Sequence, residues 1–357
     1  MSGIDSLLEE KAKIIDEVIE KYIPRKFKKN SAVFKVNLPR FSYNLEALNE
    51  AIAKPIWEFL DRGGKRWRPA MFLLICEALG KNPKDFLDYV TIPEVVHNGT
   101  LLVDDLEDSS ESRRGKPCTY LVFGVDIAVN AGNAMYYLPL LPLMMNEEKL
   151  HPKDLSKLYR VYSEEMINLH FGQAMDIAWH KGLANADEID EKDYLQMCAY
   201  KTGTLARMAA KLAAILAGAD SGSIDKLGHF AETIGVAFQI QDDILDLTSS
   251  EFAKGKGGRG MDITEGKRTL MVIHTLRKAQ LPDRKRLIAI LDMHTDKQEL
   301  RDEAIRILEK YRAIQYAKRY AKNMVKQSWN EISGLLKPSD AKNKLQMFVQ
   351  YLVERST

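Results

Sequence analysis

Cysteine, strand pattern and long apolar runs are all scarce in this chain, and each shortage excludes a class of protein. The three cysteines, Cys76, Cys118 and Cys198, are odd in number and far apart. They make neither a metal-ligand pair nor a disulfide framework, so a reducing compartment is the default. The longest apolar run, Tyr136 to Met145, is too short to cross a bilayer, and Pro139 and Pro142 interrupt it. The opening residues, MSGIDSLLEEKAKIIDEV, are charged throughout and lack the apolar core of a signal peptide. The expectation is a cytoplasmic protein with no transmembrane segment. Charge of one sign is lacking too: 52 Lys and Arg against 50 Asp and Glu leave a net +2. Overall charge therefore gives no case for nucleic-acid binding, and any polyanion site has to be local.

What the chain has is helix pattern. Hydrophobic residues at 45% and charged residues at 29% suit a globular protein with a sizeable core. Residues 4–22 carry apolar side chains at helical spacing among charges, from Leu7 and Leu8 to Val18 and Ile19. The basic connector PRKFKKN comes next and reads as a solvated loop. Further helices are predicted around 46–60, 68–79, 88–108, 127–145, 154–181, 191–217, 223–248, 268–279, 284–293, 297–311 and 314–335. Short punctuators separate them, among them RGG at 62–64, RRGKP at 113–117, GADSGS at 218–223 and a Gly-rich stretch at 255–260. The helices at 128–145, 204–217 and 234–247 are apolar on most sides, as are helices at the centre of a bundle. No internal repeat, low-complexity segment or linker stands out. The reading is one all-α domain over 1–357: an N-terminal helix and connector (1–40), a core at about 45–280, and C-terminal helices over 284–357.

Two acidic clusters carry the chemistry. LLVDDLED contains Asp104, Asp105 and Asp108, and FQIQDDILD contains Asp242, Asp243 and Asp246. In each, the first and last aspartates are four apart, one turn along one helix face, where like charges repel. Both clusters end apolar stretches and so need counter-charge. Mg²⁺ supplies it, binding carboxylate oxygens and sharing its other positions with phosphate and water. One such cluster alone reads as a solvated acidic face; two of the same DDxxD form point to a site. Neither has the alternating ligands and central glycine of a calcium-binding EF-hand loop. Basic groups stand nearby in sequence: Lys65, Arg66 and Arg68 in GGKRWRP, then Arg113 and Arg114. Guanidinium and ammonium groups beside metal-binding carboxylates suit a diphosphate. His97 lies two turns before Asp104 on the same predicted helix. Lys201 and Thr202, in AYKTGTL, interrupt an apolar stretch, and a helix break at Gly203 would free backbone groups there.

GGKRWRP, HNGTLLVDDLED, SRRGKP, GQAMD, KTG, FQIQDDILD and DITEGK occur in this order from about Gly63 to Lys267. In this the chain resembles the trans-type prenyl diphosphate synthases, the farnesyl and geranylgeranyl diphosphate synthase family. The resemblance implies a helical bundle of the isoprenoid synthase type around a central cavity, a homodimer, and Mg²⁺ as cofactor, with Mn²⁺ as the alternative. It implies that isopentenyl diphosphate condenses head to tail with an allylic diphosphate. Ionisation of the allylic C–O bond would be followed by attack of the isopentenyl double bond and proton loss to the released pyrophosphate. Asp104, Asp105 and Asp108 would bind metal from one side, and Asp242, Asp243 and Asp246 from the other. Arg113 would contact the allylic diphosphate, with Lys201 and Lys267 or Lys256 nearby. Gly64, Lys65, Arg68, His97 and Arg114 would hold isopentenyl diphosphate, and Thr202 and Gln239 would line the reacting centre.

Product length is read one helical turn before Asp104, about 5.4 Å deeper. Gly99 and Thr100 are small there, which predicts an open tunnel and a product beyond fifteen carbons. Tyr136, Tyr137 and His170 resemble the bulky floor of eukaryotic-type geranylgeranyl diphosphate synthases, so a C20 product is expected. Ordinary core packing of the two tyrosines is the competing reading. A longer-chain synthase, a class I terpene cyclase and an inactive partner subunit stay as alternatives.

Overall fold

The computed structural model describes residues 3–36, 38–249 and 258–354. Helix dominates it. The long elements begin with α1 (Gly3–Tyr22), α2 (Lys54–Leu60), α3 (Trp67–Ala78), α4 (Thr91–Glu107) and α5 (Val125–Tyr137). They continue with α6 (Pro152–His180), α7 (Glu191–Cys198), α8 (Thr204–Leu216) and α9 (Ser221–Thr248). After the motif DITEGK come α10 (Leu270–Lys278), α11 (Leu281–Asp292), α12 (Gln298–Lys310), α13 (Ala313–Ser333) and α14 (Asp340–Glu354). Among the described residues, the strands are two-residue pieces: β1 (Ser112–Arg113) pairs antiparallel with β2 (Lys116–Pro117).

Three expected helices are interrupted, and each break has a local cause. The stretch 127–145 ends as regular helix at Tyr137. Pro139 and Pro142 lack the N–H that would continue it, and a 3₁₀ turn (Leu138–Leu140) and a short helix (Leu141–Met145) come after. The stretch 46–60 contains a π turn at Asn49–Ala53, just where Pro55 cannot donate to the Ala51 carbonyl. The stretch 191–217 is broken by a second π turn, Ala199–Gly203, which carries Lys201 and Thr202.

Contacts divide the chain into two units. The first comprises Met1–Tyr162, Met208–Asp225 and Leu335–Leu345. Its core is built from Ile15, Ile19, Ile56, Phe59, Phe72 and Val95, all fully buried. The amphipathic α1 lays its apolar stripe over this core; Tyr22, at its end, is held by Asn146 (Nδ2 to Oη, 3.3 Å). Helices α4 and α5 approach closely because both carry glycine at the crossing. A Cβ on Gly132 would lie 2.6 Å from Val103 Cγ2, and one on Gly99 would lie 2.8 Å from Met135 Cβ.

The second unit comprises Ser163–Arg207, Lys226–Gly334 and Gln346–Thr357. Tyr194, Phe230, Ile234, Ile240, Ile290 and Phe348 are its fully buried centre. Here the close approach is between α6 and the π turn: a Cβ on Gly172 would sit 2.6 Å from the Tyr200 carbonyl carbon. Gly235 of α9 meets Gly203 in the same way, at 2.6 Å from its Cα. The glycines let three backbones pack where Lys201 is displayed.

Candidate active site

In the first unit the acidic cluster occupies the last turn of α4. Asp108 caps the helix (its N–H to Asp104 O, 2.9 Å), and Ser109, in the left-handed region at φ 53°, ends it. A helix C-terminus is the negative end of the dipole, so carboxylates gathered there are doubly unfavourable without counter-charge. The next element delivers it. Arg114 (φ 53°) and Gly115 (φ 75°) form a two-residue hairpin turn with both central residues left-handed, the primed geometry that matches strand twist. The turn aims Arg113 at Asp105 (Nε to Oδ1, 2.7 Å), with Asp104 4.0 Å from its Nη2. Asp105 is buried, and its Oδ2 has no hydrogen-bond partner among the described residues. Burial pushes its carboxyl up from the usual range, against the pull of Arg113. A buried carboxylate oxygen left over is a position that a cation would satisfy.

The neighbouring arginine of the hairpin goes elsewhere. Arg114 donates to Gly63 O and to Asn98 Oδ1 (3.3 Å), and lies over the Phe59 ring at 5.3 Å. Gly64, at φ 142°, permits this: a Cβ there would meet Arg114 Nη2 at 3.1 Å. Asn98 is itself oriented by Glu94, whose Oε1 also accepts from Arg66 Nη1 at 2.9 Å. Arg66 is thus a structural ion pair, with Asp16 as a second partner at 3.0 Å. Arg68 is different. It is 5% exposed, stacks on Trp67, and its Nε has no hydrogen-bond partner among the described residues. Burial lowers it to about 10, as burial and then Arg66 lower Arg114 to about 10. Both shifts mark guanidinium groups short of negative charge. His97 stands among them; desolvation, then Arg68 and Arg114, hold its imidazole far below the usual range and therefore neutral. Lys65 is exposed.

The second unit holds a connected polar chain. Thr202 Oγ1 donates to Gln239 Oε1 (2.9 Å), and Gln239 Nε2 donates to Asp243 Oδ1 (2.9 Å). The other Asp243 oxygen accepts from the buried Tyr194 hydroxyl at 2.7 Å. Burial first, and then the Asp262 charge, push the Asp243 carboxyl up to about 7. Asp243, Asp262, Lys267 and Thr269 line a small cavity with Leu247 and Ile263. Lys201 Nζ donates to Asp176 Oδ2 at 2.6 Å. Lys267 pairs with Glu265 and lies 3.8 Å from Asp262. Burial opposes its charge, but Asp262, Glu265 and Asp176 raise it well above the usual lysine range. Asp246 is fully buried and accepts the backbone N–H groups of Met261 and Asp262, both at 3.2 Å. It fixes the DITEGK turn that presents Asp262 and Lys267. Asp242 lies on the same last turns of α9, half-buried.

Among the described residues no three His, Cys, Asp or Glu side chains form a ready-made metal cage. The donors are all carboxylates, which suits Mg²⁺ completed by phosphate oxygens and water rather than a closed protein site.

The chain matches the family model described as polyprenyl synthetase over residues 49–308. The chain belongs to the polyprenyl synthetase family. A short chain isoprenyl diphosphate synthase of Methanothermobacter thermautotrophicus is 34% identical over 306 residues, 86% of this chain and 91% of that one. A geranylgeranyl diphosphate synthase of Methanosarcina mazei is 31% identical, covering 86% and 90%. In structure, the geranylgeranyl pyrophosphate synthetase from Pyrococcus horikoshii superposes with a TM-score of 0.82 at 31% identity, covering 99% of this chain and 98% of that one. The fold is therefore the all-α isoprenoid synthase fold.

For this polyprenyl synthetase family member the geometry corrects parts of the length reading. Gly99 does not open a tunnel: the space of its missing side chain is filled by Met135, Gly132 and Tyr136 of α5. Thr100 is half-buried and turns its hydroxyl back to His97 O at 2.8 Å. Tyr136 is buried at 8% exposure, but Tyr137 is 69% exposed, because the next position on α5 is turned by about 100° about the helix axis. His170 is exposed and bonds Met166 O at 2.7 Å. Lys256 lies outside the described residues. Sequence reasoning assigned no role to Tyr194, Glu94, Asn98, Asp176 or Asp262. Asp176 and Asp262 stand in GQAMD and DITEGK, where an acid within a family motif was the available signal. Tyr194 had none.

Proposed function

We propose that the chain is a prenyltransferase that condenses isopentenyl diphosphate with allylic diphosphates, ending at the C20 product geranylgeranyl diphosphate. The observation that carries this reading is the leftover Oδ2 of buried Asp105 beside Arg113, in the same unit as the buried, undercompensated Arg68 and Arg114. Asp104, Asp105 and Asp108 at the end of α4 would hold Mg²⁺, as would Asp242 and Asp243 of α9, with Mn²⁺ as the alternative; Asp246, which the sequence adds to this set, is engaged by the N–H groups of Met261 and Asp262. When bound, the ion neutralises the charge that develops on the leaving diphosphate. Arg113 holds Asp105 in place. Arg68, Arg114 and neutral His97 receive the isopentenyl diphosphate, with Gly64 giving backbone access and Lys65 reaching from solvent. Thr202 and Gln239 orient Asp243, and Lys201 and Lys267 add positive charge on their unit.

The geranylgeranyl names of the Methanosarcina and Pyrococcus proteins support the C20 assignment, and so does Tyr136, the one buried aromatic of the three expected floor residues. Tyr137 and His170, exposed on the single chain, are left out of the proposed floor. A homodimer is the assembly we infer. Leu121, Val122, Val125, Val129 and Tyr137 are between 36% and 69% exposed, and the last three recur at multiples of four along α5. That stripe suits a self-complementary interface. We read 1–357 as one isoprenoid synthase domain, since the family match runs through both contact units. Among the described residues no helix is long and apolar enough to cross a membrane. Three free buried thiols suit a reducing compartment such as the cytoplasm.

The test is product analysis. Purified protein, Mg²⁺ and labelled isopentenyl diphosphate are incubated with five-, ten- or fifteen-carbon allylic diphosphates. A C20 product is expected, and Tyr136→Ala should lengthen it. Asp104→Ala and Asp243→Ala should lower turnover by about a hundredfold or more while the helical spectrum is kept. Hydrocarbon release from a preformed prenyl diphosphate, without condensation, would overturn the reading in favour of a cyclase.

A further inference from the structure

The basic connector, extended over residues 24–36 and 38–44, is more than the plain solvated loop expected of it. The stretch carries Arg25, Lys26, Lys28, Lys29, Lys35 and Arg40 and no acidic residue. It is also held in shape. Phe27 and Phe34 are buried in a small apolar cluster with Ala53, against which Val33, Leu45, Leu48 and Ile52 pack. Asn49 of the first π turn clamps Phe27, accepting its N–H at 2.6 Å and donating to its carbonyl at 3.4 Å. Trp57 Nε1 donates to Ile23 O at 2.9 Å, and Phe34 stacks on Tyr43 at 4.3 Å.

From this platform two large apolar side chains project into solvent, with nothing among the described residues burying them. Leu38 is 82% exposed and Phe41 76% exposed. Exposed single hydrophobes are ordinary. These two flank Arg40, which lies over the Phe41 ring at 5.3 Å, and they share the segment with Lys26, Lys28, Lys29 and Lys35, all exposed. Arg25 is the exception, since Asp61 and Glu20 engage it.

We propose that this segment docks the protein on an anionic lipid surface, with Leu38 and Phe41 inserted at the headgroup boundary and the lysines set against the lipid charge. The argument is charge complementarity. A basic set with no acid among it is drawn to anionic headgroups, each Lys or Arg raising partition by about fivefold. A pair of apolar anchors adds a contribution that salt does not screen. Neither signal alone gives stable attachment; the two together do. The overall charge of +2 would not predict this, because the effect is confined to one segment. The inference is independent of the proposed reaction, and its test uses no substrate.

The test is co-sedimentation of the full chain with phosphatidylcholine vesicles, with and without about 30% phosphatidylserine, a content at which the surface potential is strong. Binding is expected to the anionic vesicles alone, and to fall steeply as salt rises. Lys26→Gln with Lys28→Gln and Lys29→Gln should weaken partition by about a hundredfold. Leu38→Ser with Phe41→Ser should weaken it by about tenfold or more, including at high salt. Both variants should keep their helical spectrum and melting temperature. Wild-type protein that stays in the supernatant with anionic vesicles overturns the proposal. So does a Leu38→Ser, Phe41→Ser variant whose sedimentation coefficient drops, because the segment would then be covered by a second copy of the chain.

Discussion

His97 shows how one side chain links site chemistry to stability. Its own desolvation and four arginines, Arg68, Arg114, Arg66 and Arg113, keep the imidazole neutral. The unfolded chain has no such restraint and takes up a proton as pH falls below about 6.5. Because the folded value is depressed, the stability at stake is fully present above that pH and is lost as acid is added. His97→Gln should lose about 1 kcal/mol less than wild type between pH 7.5 and 5.5 in urea unfolding. Equal acid sensitivity in the two proteins would place His97 outside the arginine cluster. At this scale the sequence was informative about charge and poor about partners. Asp104, Asp243, Arg68 and Arg114 announced themselves by type and spacing. That Asp105 leans on Arg113, or that Asp246 serves two backbone N–H groups, depends on turns no spacing encodes. Tyr194 is an aromatic in an amphipathic helix until α9 places Asp243 against its hydroxyl.

Elements tell a similar story with different causes. Pro139 and Pro142 act on their own chain, so the end of regular helix at Tyr137 has a local sequence cause, although the predicted helix ran on to 145. The break near Gly203 was expected, but its form was not: a π turn is one residue more than an α turn, and here it is fixed by neighbouring backbones. Gly172→Ala would press a methyl group into the backbone at Tyr200 and Lys201. The helices must separate, at a cost of about 1–3 kcal/mol or more. The expected result is a lowered melting temperature and lost turnover, since Lys201 leaves Asp176. Unchanged melting of that variant would show the α6 contact to be slack. The same logic explains the misreading of Gly99. A small residue near a presumed tunnel looks like open space, but α5 fills it.

For the molecule as a whole, the all-α class, the helix order and the family could be read from the sequence, because seven motifs in order leave little freedom. Which apolar residues stay outside could not be read, since periodicity alone does not say whether a face meets its own core or another copy. The α5 stripe should be decisive for assembly. Val129→Lys with Tyr137→Lys is expected to convert a dimer to monomer in sedimentation analysis, with helical content kept. A wild-type monomer at micromolar concentration would dismiss the interface. One further property belongs to the molecule rather than to any site. Cys76, Cys118 and Cys198 are all fully enclosed. Burial pushes the thiols of Cys76 and Cys118 up to about 12 and that of Cys198 well above its ordinary value. Thiolate is the reactive form. To a maleimide or a spin label the folded protein is therefore effectively blank. A single cysteine introduced on its surface would report alone, with no need to remove the native three.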